Sequence, residues 1–156
     1  MAKNKAKDGH PESAVGLWHQ MLQCYKAMER SIASRMQDNY QQSLSRFDVL
    51  TQLQNGPDDW LSVGELAKRL VDSREGISAL LTRMEKENLI ERRLNPDDRR
   101  SFQVSITKKG RALHQDISSD YSAWVAYALE DVTADERKLL FELLGRVKQS
   151  QAKESK

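Results

Sequence analysis

The sequence has little of what several classes of protein require. It has a single cysteine among 156 residues, so an internal disulfide framework is excluded. No apolar run approaches the length that spans a membrane. The first residues are basic, but no apolar segment follows them as a secretory signal peptide requires, and we therefore expect a cytoplasmic protein.

Histidine is also scarce. His10, His19 and His114 are scattered along the chain. No Cys/His cluster or pair of carboxylates has the spacing of a metal or catalytic site. The sequence therefore predicts neither an enzyme nor a metal-regulated protein, and it predicts no cofactor.

The composition suits one ordinary domain, with 38% hydrophobic and 31% charged residues. The net charge is only +2, but it is unevenly distributed. Residues 62–111 carry 12 Lys/Arg against 8 Asp/Glu, whereas the rest of the chain carries 13 against 15. A basic excess in one segment favours contact with nucleic-acid phosphates. Without a fold pattern, an excess of this size would equally suit a solvated face.

The basic segment begins with two helical patterns separated by a break. Ser62 and Glu65 form a capping box, and the apolar positions that follow are Leu66, Ala67 and Leu70. Ser73, or Asp72, is well placed to cap the second helix. The apolar positions of that helix recur at helical spacing, and they are Ile77, Leu80, Leu81 and Met84. Asn88 then stands where a helix ends in a left-handed residue.

The second helix has an outward face of small and hydrogen-bonding side chains. With the capping Ser73, the face comprises Arg74, Glu75, Ser78, Ala79, Thr82 and Arg83. Arginine can bond guanine in a bidentate manner, glutamate can accept from cytosine, and a threonine methyl or alanine can touch a thymine methyl. We expect this face to read base edges. Some of these residues could instead contact only phosphate or solvent, and for Glu75 that alternative is equally good.

Two strands follow the second helix. Residues 89–94 form the first, and in the second Phe102, Val104 and Ile106 alternate with Gln103 and Ser105. The charged turn between them runs over residues 95–100. The pattern predicts a winged helix–turn–helix, a mainly α fold with a small antiparallel β-hairpin, in which one helix enters the major groove.

These residues resemble a known family. DDRRSFQVSITKKG is similar to the hairpin of MarR-type transcriptional regulators, and SREGISALLTRMEKENLIERR resembles their recognition helix and exit strand. SLSRFDVLTQL is similar to their second helix, and the resemblance extends from about Trp18 to Val147. Asn88 stands in place of the usual glycine, and Ile106 in place of leucine. The RFDVL stretch is similar to the members that control aromatic-acid breakdown.

The resemblance assigns roles within the hairpin. It implies that Arg100 enters the minor groove and that Asp98 orients it, with Arg99 beside them at the tip. A carboxylate close to phosphates would be repelled unless an arginine paired with it. Independently of the resemblance, a helix cap or a charge makes three residues plausible phosphate contacts, namely Ser62, Ser73 and Lys108.

Helical patterns flank the winged helix on both sides. We expect a basic, disordered tail over residues 1–12, one domain over 13–150 and a frayed tail over 151–156. Within the domain, 13–39 and 112–150 would form dimerisation helices around a DNA-binding lobe at 43–111. Their apolar stripes are wider than a single partner helix covers. As the resemblance also implies, the protein should be a homodimer on a pseudo-palindromic operator.

Three further caps are predicted. Ser45 would cap a helix whose inward residues are Phe47, Leu50 and Leu53. Thr107 would cap the helix after the hairpin, and Thr133 with Glu136 forms another capping box. The last helix would fray from Gln149.

The first, second and fifth helices carry aromatic and polar residues that suit a small-molecule pocket. The candidates are Trp18, His19, Tyr25, Phe47, Tyr121 and Trp124, and Arg46 would hold a ligand carboxylate. Aromatic residues at this spacing are more often core or dimer contacts. Cys24 is a candidate redox thiol, although a small buried hydrophobe is the simpler interpretation.

The sequence therefore predicts a homodimeric DNA-binding repressor that a small aromatic or phenolic acid releases from its operator. A repressor that senses thiol oxidation through Cys24 is one alternative. A winged helix used for protein–protein contact is another, but it would require an apolar or acidic outward face on the second helix.

Overall fold

The computed structural model describes residues 13–56, 59–70 and 76–154. The elements among them are α1 (Ala14–Tyr40), α2 (Leu44–Gln54), β1 (Leu61–Ser62), α3 (Val63–Arg69), α4 (Ile77–Lys86), β2 (Ile90–Leu94), β3 (Phe102–Ile106), α5 (Lys108–Ala128) and α6 (Ala134–Glu154). This mainly helical fold with one small antiparallel sheet confirms the predicted fold class. The chain comprises two compact units, Met1–Ser122 and Ala123–Lys156, and the boundary lies inside α5. The predicted tail at residues 1–12 lies outside the described residues.

Serine caps begin both of the first two helices. Ser13 accepts a hydrogen bond from the Gly16 N–H at 2.9 Å and starts α1, which ends at Gln41 in a left-handed conformation with φ of 55°. The cap of α2 is Ser43, which accepts from the Arg46 N–H at 3.3 Å. The prediction that Ser45 caps this helix is wrong, because the backbone turns from extended to helical two residues earlier.

The helix–turn–helix is formed by α3 and α4. Ser62 caps α3 by accepting from the Glu65 N–H at 3.1 Å. Leu66 is fully buried, but Ala67 is exposed, so the predicted apolar stripe is narrower than its sequence suggested. Among the described residues, α4 begins at Ile77 with Gly76 in the cap position. The predicted caps Asp72 and Ser73 fall within residues 71–75, which lie outside the described residues.

The sheet has the strand order β1-β3-β2, with both neighbouring pairs antiparallel. Val104 on the central strand lies between Leu61 of β1 and Arg92 of β2. A short strand therefore also precedes α3, at Leu61–Ser62. The last strand in sequence holds the other two together, so the hairpin completes a sheet that begins before the helix–turn–helix.

The predicted alternation of β3 is wrong at two positions. Phe102 is 48% exposed, whereas Ser105 is only 5% exposed. Helices α2 and α3 both contact β3, and strands β1 and β2 pair with it on either side. The inner end of β3, from Val104 to Ile106, is therefore buried on both faces. Phe102 lies at the outer end of the strand, beside the turn. The strand therefore changes from buried to exposed along its length.

One apolar core joins these elements in the first unit. It is lined by Val49, Leu50, Leu53, Leu61, Leu66, Leu80, Leu81, Met84, Leu89, Ile90, Val104 and Ile106. The core fixes α4 against the sheet through Leu81 and Met84, both fully buried. Burying a leucine or methionine side chain contributes about 1.5–3 kcal/mol. The opposite side of α4 is left to solvent.

The second unit contains the end of α5 and all of α6. The capping box at the start of α6 is present, because the Thr133 N–H donates to Glu136 Oε2 at 2.8 Å and the Glu136 N–H donates to Thr133 Oγ1 at 3.4 Å. The Thr133 hydroxyl also donates to Glu136 Oε2 at 2.7 Å, and this bond, together with the one from the Thr133 N–H, lowers the pKa of the Glu136 carboxyl. Helix α6 continues to Glu154, beyond the fraying that was expected from Gln149. No helix in the described ranges is apolar enough over a sufficient length to cross a membrane.

Candidate nucleic-acid interface

The exposed side of α4 carries the residues that the sequence predicted there. Ser78, Ala79, Thr82 and Arg83 are all exposed, whereas Leu80 and Leu81 are buried. The other three residues proposed for this surface, Ser73, Arg74 and Glu75, lie outside the described residues. The exposed side of α4 is therefore polar and small, with an arginine near its C-terminal end, as direct contact with base edges requires.

A charged side chain from the sheet holds this helix, and the sequence did not reveal it. Arg92 Nη2 donates to the Ser78 carbonyl oxygen at 3.2 Å and to Thr82 Oγ1 at 3.3 Å. Arg92 Nε lies 3.5 Å from a carboxylate oxygen of Glu85 on the same helix. Three positions of α4 are thus tied to strand β2. The only signal in the sequence was that Arg92 follows the buried Ile90 by two residues, which places both side chains on the same face of the sheet.

The turn between β2 and β3 is ordered by hydrogen bonds among its own backbone and side-chain groups. The Asn95 N–H donates to the Ser101 carbonyl at 3.0 Å, and the Ser101 N–H donates to the Asp98 carbonyl at 2.9 Å. Asp98 Oδ1 accepts from the backbone N–H of Arg100 at 3.0 Å. Asp98 therefore orients the backbone that carries Arg100, which differs from the guanidinium pairing that the resemblance implied. Arg99 and Arg100 are exposed.

Another arginine braces the outer part of the hairpin. The Arg93 guanidinium carbon lies 4.2 Å from the centre of the Trp60 ring, and Arg93 Nε donates to Gln103 Oε1 at 2.9 Å. Cation–π contact at this distance is attractive. The residue before β1 is therefore linked to β2 across the central strand. Trp60 and Arg93 were not predicted as part of the site.

Two of the three expected phosphate contacts lie at helix starts, and the third, Ser73, lies outside the described residues. Ser62 is half-buried at the N-terminus of α3, and Lys108 is exposed as the first residue of α5. The neighbouring Lys109 has another role, because its ammonium donates to the Glu87 carbonyl at 2.9 Å. A cation at the C-terminal end of a helix is favourable. Lys109 thus stabilises the end of α4.

The predicted pocket residues do not all share one environment. Phe47 is buried, and its ring stacks on His114 at 5.2 Å between centroids and lies 4.9 Å from Tyr121. Trp18 and Tyr25 are 55% and 43% exposed. The other candidates lie as follows: His19 is exposed on α1, Trp124 is half-buried in the second unit, and Arg46 forms an ion pair with Glu87.

His114 also belongs to this aromatic cluster, although the sequence did not predict it there. Its Nε2 lies 3.2 Å from Thr51 Oγ1, and that hydroxyl donates its hydrogen to the Phe47 carbonyl at 2.9 Å. The imidazole must therefore donate from Nε2. Desolvation lowers the pKa of His114, which favours the neutral ring. Cys24 on α1 is exposed, so its interpretation as a small buried hydrophobe is wrong for the single chain.

Comparison with known proteins agrees with this geometry. Residues 42–101 match the model of the MarR family, a range that covers α2, the helix–turn–helix, β2 and the turn before β3. An HTH-type transcriptional regulator from Bacillus cereus is 28% identical over 140 residues, which make up 88% of this chain and 91% of the relative.

Solved structures have the same fold. Sco3205, a MarR family transcriptional regulator from Streptomyces coelicolor solved in complex with DNA, is 23% identical and superposes with a TM-score of 0.75 over 86% of this chain and 84% of that one. BpsR of Bordetella bronchiseptica, whose DNA binding is regulated by 6-hydroxynicotinic acid, is 19% identical with a TM-score of 0.75 over 85% and 98%.

Proposed function

We propose that the chain is a MarR-type DNA-binding transcriptional regulator, and specifically a homodimeric repressor of a pseudo-palindromic operator. The observation that carries the proposal is the exposed polar side of α4, held by Arg92 and placed next to a hairpin whose tip presents Arg99 and Arg100. A helix in the major groove with an arginine in the flanking minor groove uses all of these residues.

The homodimer is supported by apolar side chains that the single chain leaves exposed. On α6 they are Leu139, Leu140, Phe141, Leu143, Leu144 and Val147, and Phe141 is 80% exposed. On α1 they include Leu17, Trp18 and Tyr25. Apolar patches of this kind mark interaction sites. A second copy would cover them and would present two α4 helices to two half-sites.

Repression follows from occupancy of the operator, since a bound dimer blocks access to the duplex. We propose an aromatic acid as the effector. The cluster of Phe47, His114 and Tyr121 combines apolar rings with hydrogen-bonding groups, the composition of a small-molecule site. BpsR, which has the same fold, responds to an aromatic acid. Arg46 is a weaker candidate for the ligand carboxylate, because Glu87 already pairs with it.

The protein-interaction alternative fits the surface less well. A partner-binding helix would present an apolar or acidic exposed side, whereas the exposed described residues of α4 include Ser78, Thr82 and Arg83. Binding to DNA through phosphates would weaken steeply with salt.

The decisive experiment is selection of bound sequences from a random duplex pool at physiological salt, with and without 4-hydroxybenzoate or 6-hydroxynicotinate. We expect a palindrome without acid and its loss with one of them. Selection of no sequence would overturn the proposal as a whole. A palindrome that both acids leave intact would overturn the aromatic-acid part and retain the operator part.

A further inference from the structure

The hydroxyl of Thr82 has a fixed arrangement of hydrogen bonds. Thr82 Oγ1 donates to the Ser78 carbonyl oxygen at 2.7 Å and accepts from Arg92 Nη2 at 3.3 Å. A threonine hydroxyl has one hydrogen and two lone pairs. The hydrogen and one lone pair are therefore used inside the protein. One lone pair remains, on an exposed side chain.

The hydroxyl hydrogen cannot turn toward a ligand while this arrangement holds. Two oxygen atoms 2.7 Å apart repel each other unless a hydrogen lies between them, so the hydrogen stays between Thr82 and Ser78. Arg92 donates to both oxygen atoms and opposes a change of rotamer, since rotation about the Cα–Cβ bond would break its bond to Oγ1. Because threonine is branched at Cβ, fixing Oγ1 also fixes the methyl group.

We propose that Arg92 restricts Thr82 to accepting hydrogen bonds in the major groove, so that its hydroxyl does not donate to a base. Thr82 offers a methyl group and one acceptor, and it offers no donor. Its methyl suits the C5-methyl of thymine, and its acceptor suits the amino groups of adenine and cytosine. Guanine presents only acceptors at its major-groove edge, so Thr82 gives it no hydrogen bond. Guanine is therefore the excluded base at the position that Thr82 faces, and thymine is the base that its methyl group contacts.

The same arrangement excludes a phosphate role for Thr82. Phosphate oxygens are acceptors and need a donor from the protein, which Thr82 does not have. Arg92 is a positioning residue in this scheme, since it acts through Thr82 and does not itself touch a base. The inference rests on the proposed function, because it requires α4 to lie in the major groove.

The experiment compares two substitutions that separate the methyl from the hydroxyl. Bound sequences are selected with the wild-type chain, Thr82→Val and Thr82→Ser, and affinities are then measured on duplexes that differ only at the position concerned. Valine keeps a methyl at the same place and removes the hydroxyl. Serine keeps the hydroxyl and removes the methyl. We expect Thr82→Val to keep the preference for thymine over guanine and Thr82→Ser to reduce it by about 5-fold or more, the low end for one mismatched base pair.

Arg92 is tested by Arg92→Met and Arg92→Lys in the same assay. Methionine releases Thr82 to change rotamer and donate, so we expect guanine to be tolerated at that position. Lysine has donors for both oxygen atoms and should restore much of the discrimination. A simple loss of folding would lower affinity for all duplexes equally and would not change the preference at one position.

Three results would overturn the inference. The first is a preference for guanine at one position that Thr82→Ser retains and Thr82→Val loses. Such a preference would mean that the Thr82 hydroxyl donates a hydrogen bond to guanine. The second is a wild-type palindrome that both Thr82 variants leave unchanged, which would also leave the proposed function standing. The third is an Arg92→Met variant with unchanged discrimination. Selection of no sequence by the wild-type chain would instead remove the proposed function, and this inference with it.

Discussion

Gly110 on α5 lies so close to Leu89 that a Cβ atom on residue 110 would come within 2.1 Å of the Leu89 carbonyl oxygen. The same oxygen accepts from the Thr107 N–H at 3.2 Å. The cap of α5 and the entry to β2 are thus in direct contact. A glycine is needed here for close approach, since any side chain would occupy the space of the Leu89 backbone.

Gly110→Ala should destabilise the fold, because backbone at the contact must shift to make room. We expect a loss of about 1–3 kcal/mol or more in the free energy of unfolding, measured by urea denaturation. Gly64→Ala is the matched control, since nothing lies within 4 Å of a Cβ at that helical position. Equal stabilities for the two variants would contradict the close approach.

Arg100→Ala should weaken operator binding by about 1–3 kcal/mol if Arg100 makes a groove contact comparable to a good base contact. Arg99→Ala serves as the comparison, since both side chains are exposed at the same tip. A residue that contacts only phosphate changes the salt dependence of binding and leaves sequence preference unchanged. Titration by fluorescence anisotropy at several salt concentrations distinguishes the roles, and equal small effects for both variants would remove the hairpin from recognition.

The ion pair between Arg46 and Glu87 links α2 to the end of α4. Arg46 is 18% exposed and Glu87 is 46% exposed, so an unpaired arginine is costlier than an unpaired glutamate. Glu87→Gln should therefore destabilise the chain more than Arg46→Met. A double-mutant cycle should give a coupling of about 1 kcal/mol, the upper end for exposed pairs. Strictly additive effects in urea denaturation would refute the pairing.

The free energy of unfolding should decrease as the pH is lowered into the acidic range. Desolvation lowers the pKa of His114 in the folded state, so the unfolded chain binds the proton more readily. The contribution of the neutral His114 ring to stability is present above pH 6.5, the ordinary pKa of histidine. It is lost as the pH falls through the lowered pKa of His114. His114→Gln cannot take up this proton, so the loss of Tm between pH 7.5 and 5 should be smaller in that variant. An identical loss would contradict the prediction.

A charged substitution on α6 should separate the dimer. Leu144 is 43% exposed in the single chain and belongs to the apolar side of the helix. Leu144→Glu would bury a carboxylate between the subunits, so we expect a monomer by sedimentation and an operator affinity lower by about 10-fold or more. Gln149→Glu introduces the same charge on the same helix and should remain dimeric. A wild-type chain that sediments as a monomer would refute the interface.

Local sequence patterns predicted most of the secondary structure. The left-handed φ of 57° at Asn88 and the bounds of β3 agree with expectation because both depend on adjacent residues. Ser43 and Ser45 show the limit of such patterns. Both are acceptable caps, and the choice between them depends on where α1 stops, at Gln41.

The features that the sequence missed depend on partners far along the chain. Arg92 resembles any surface arginine on a strand until α4 is seen to lie against it. His114 likewise has nothing near it in sequence that predicts its stacking on Phe47. Amphipathic periodicity shows which side of an element is buried, but it does not show which other element covers it. The exposed side of α4 was predictable for this reason, whereas the contacts with Arg92 that hold the helix were not.

The pairing of Ser62 with Gln103 encloses residues 63–102 in a closed chain loop. This loop contains α3, α4, β2 and the turn that carries Arg99 and Arg100, and these hold most of the residues proposed to meet DNA. Closing a long loop carries an entropy cost that only the completed sheet and core offset. The loop should therefore form cooperatively, so that a nascent chain gains its recognition surface only after β3 has been synthesised.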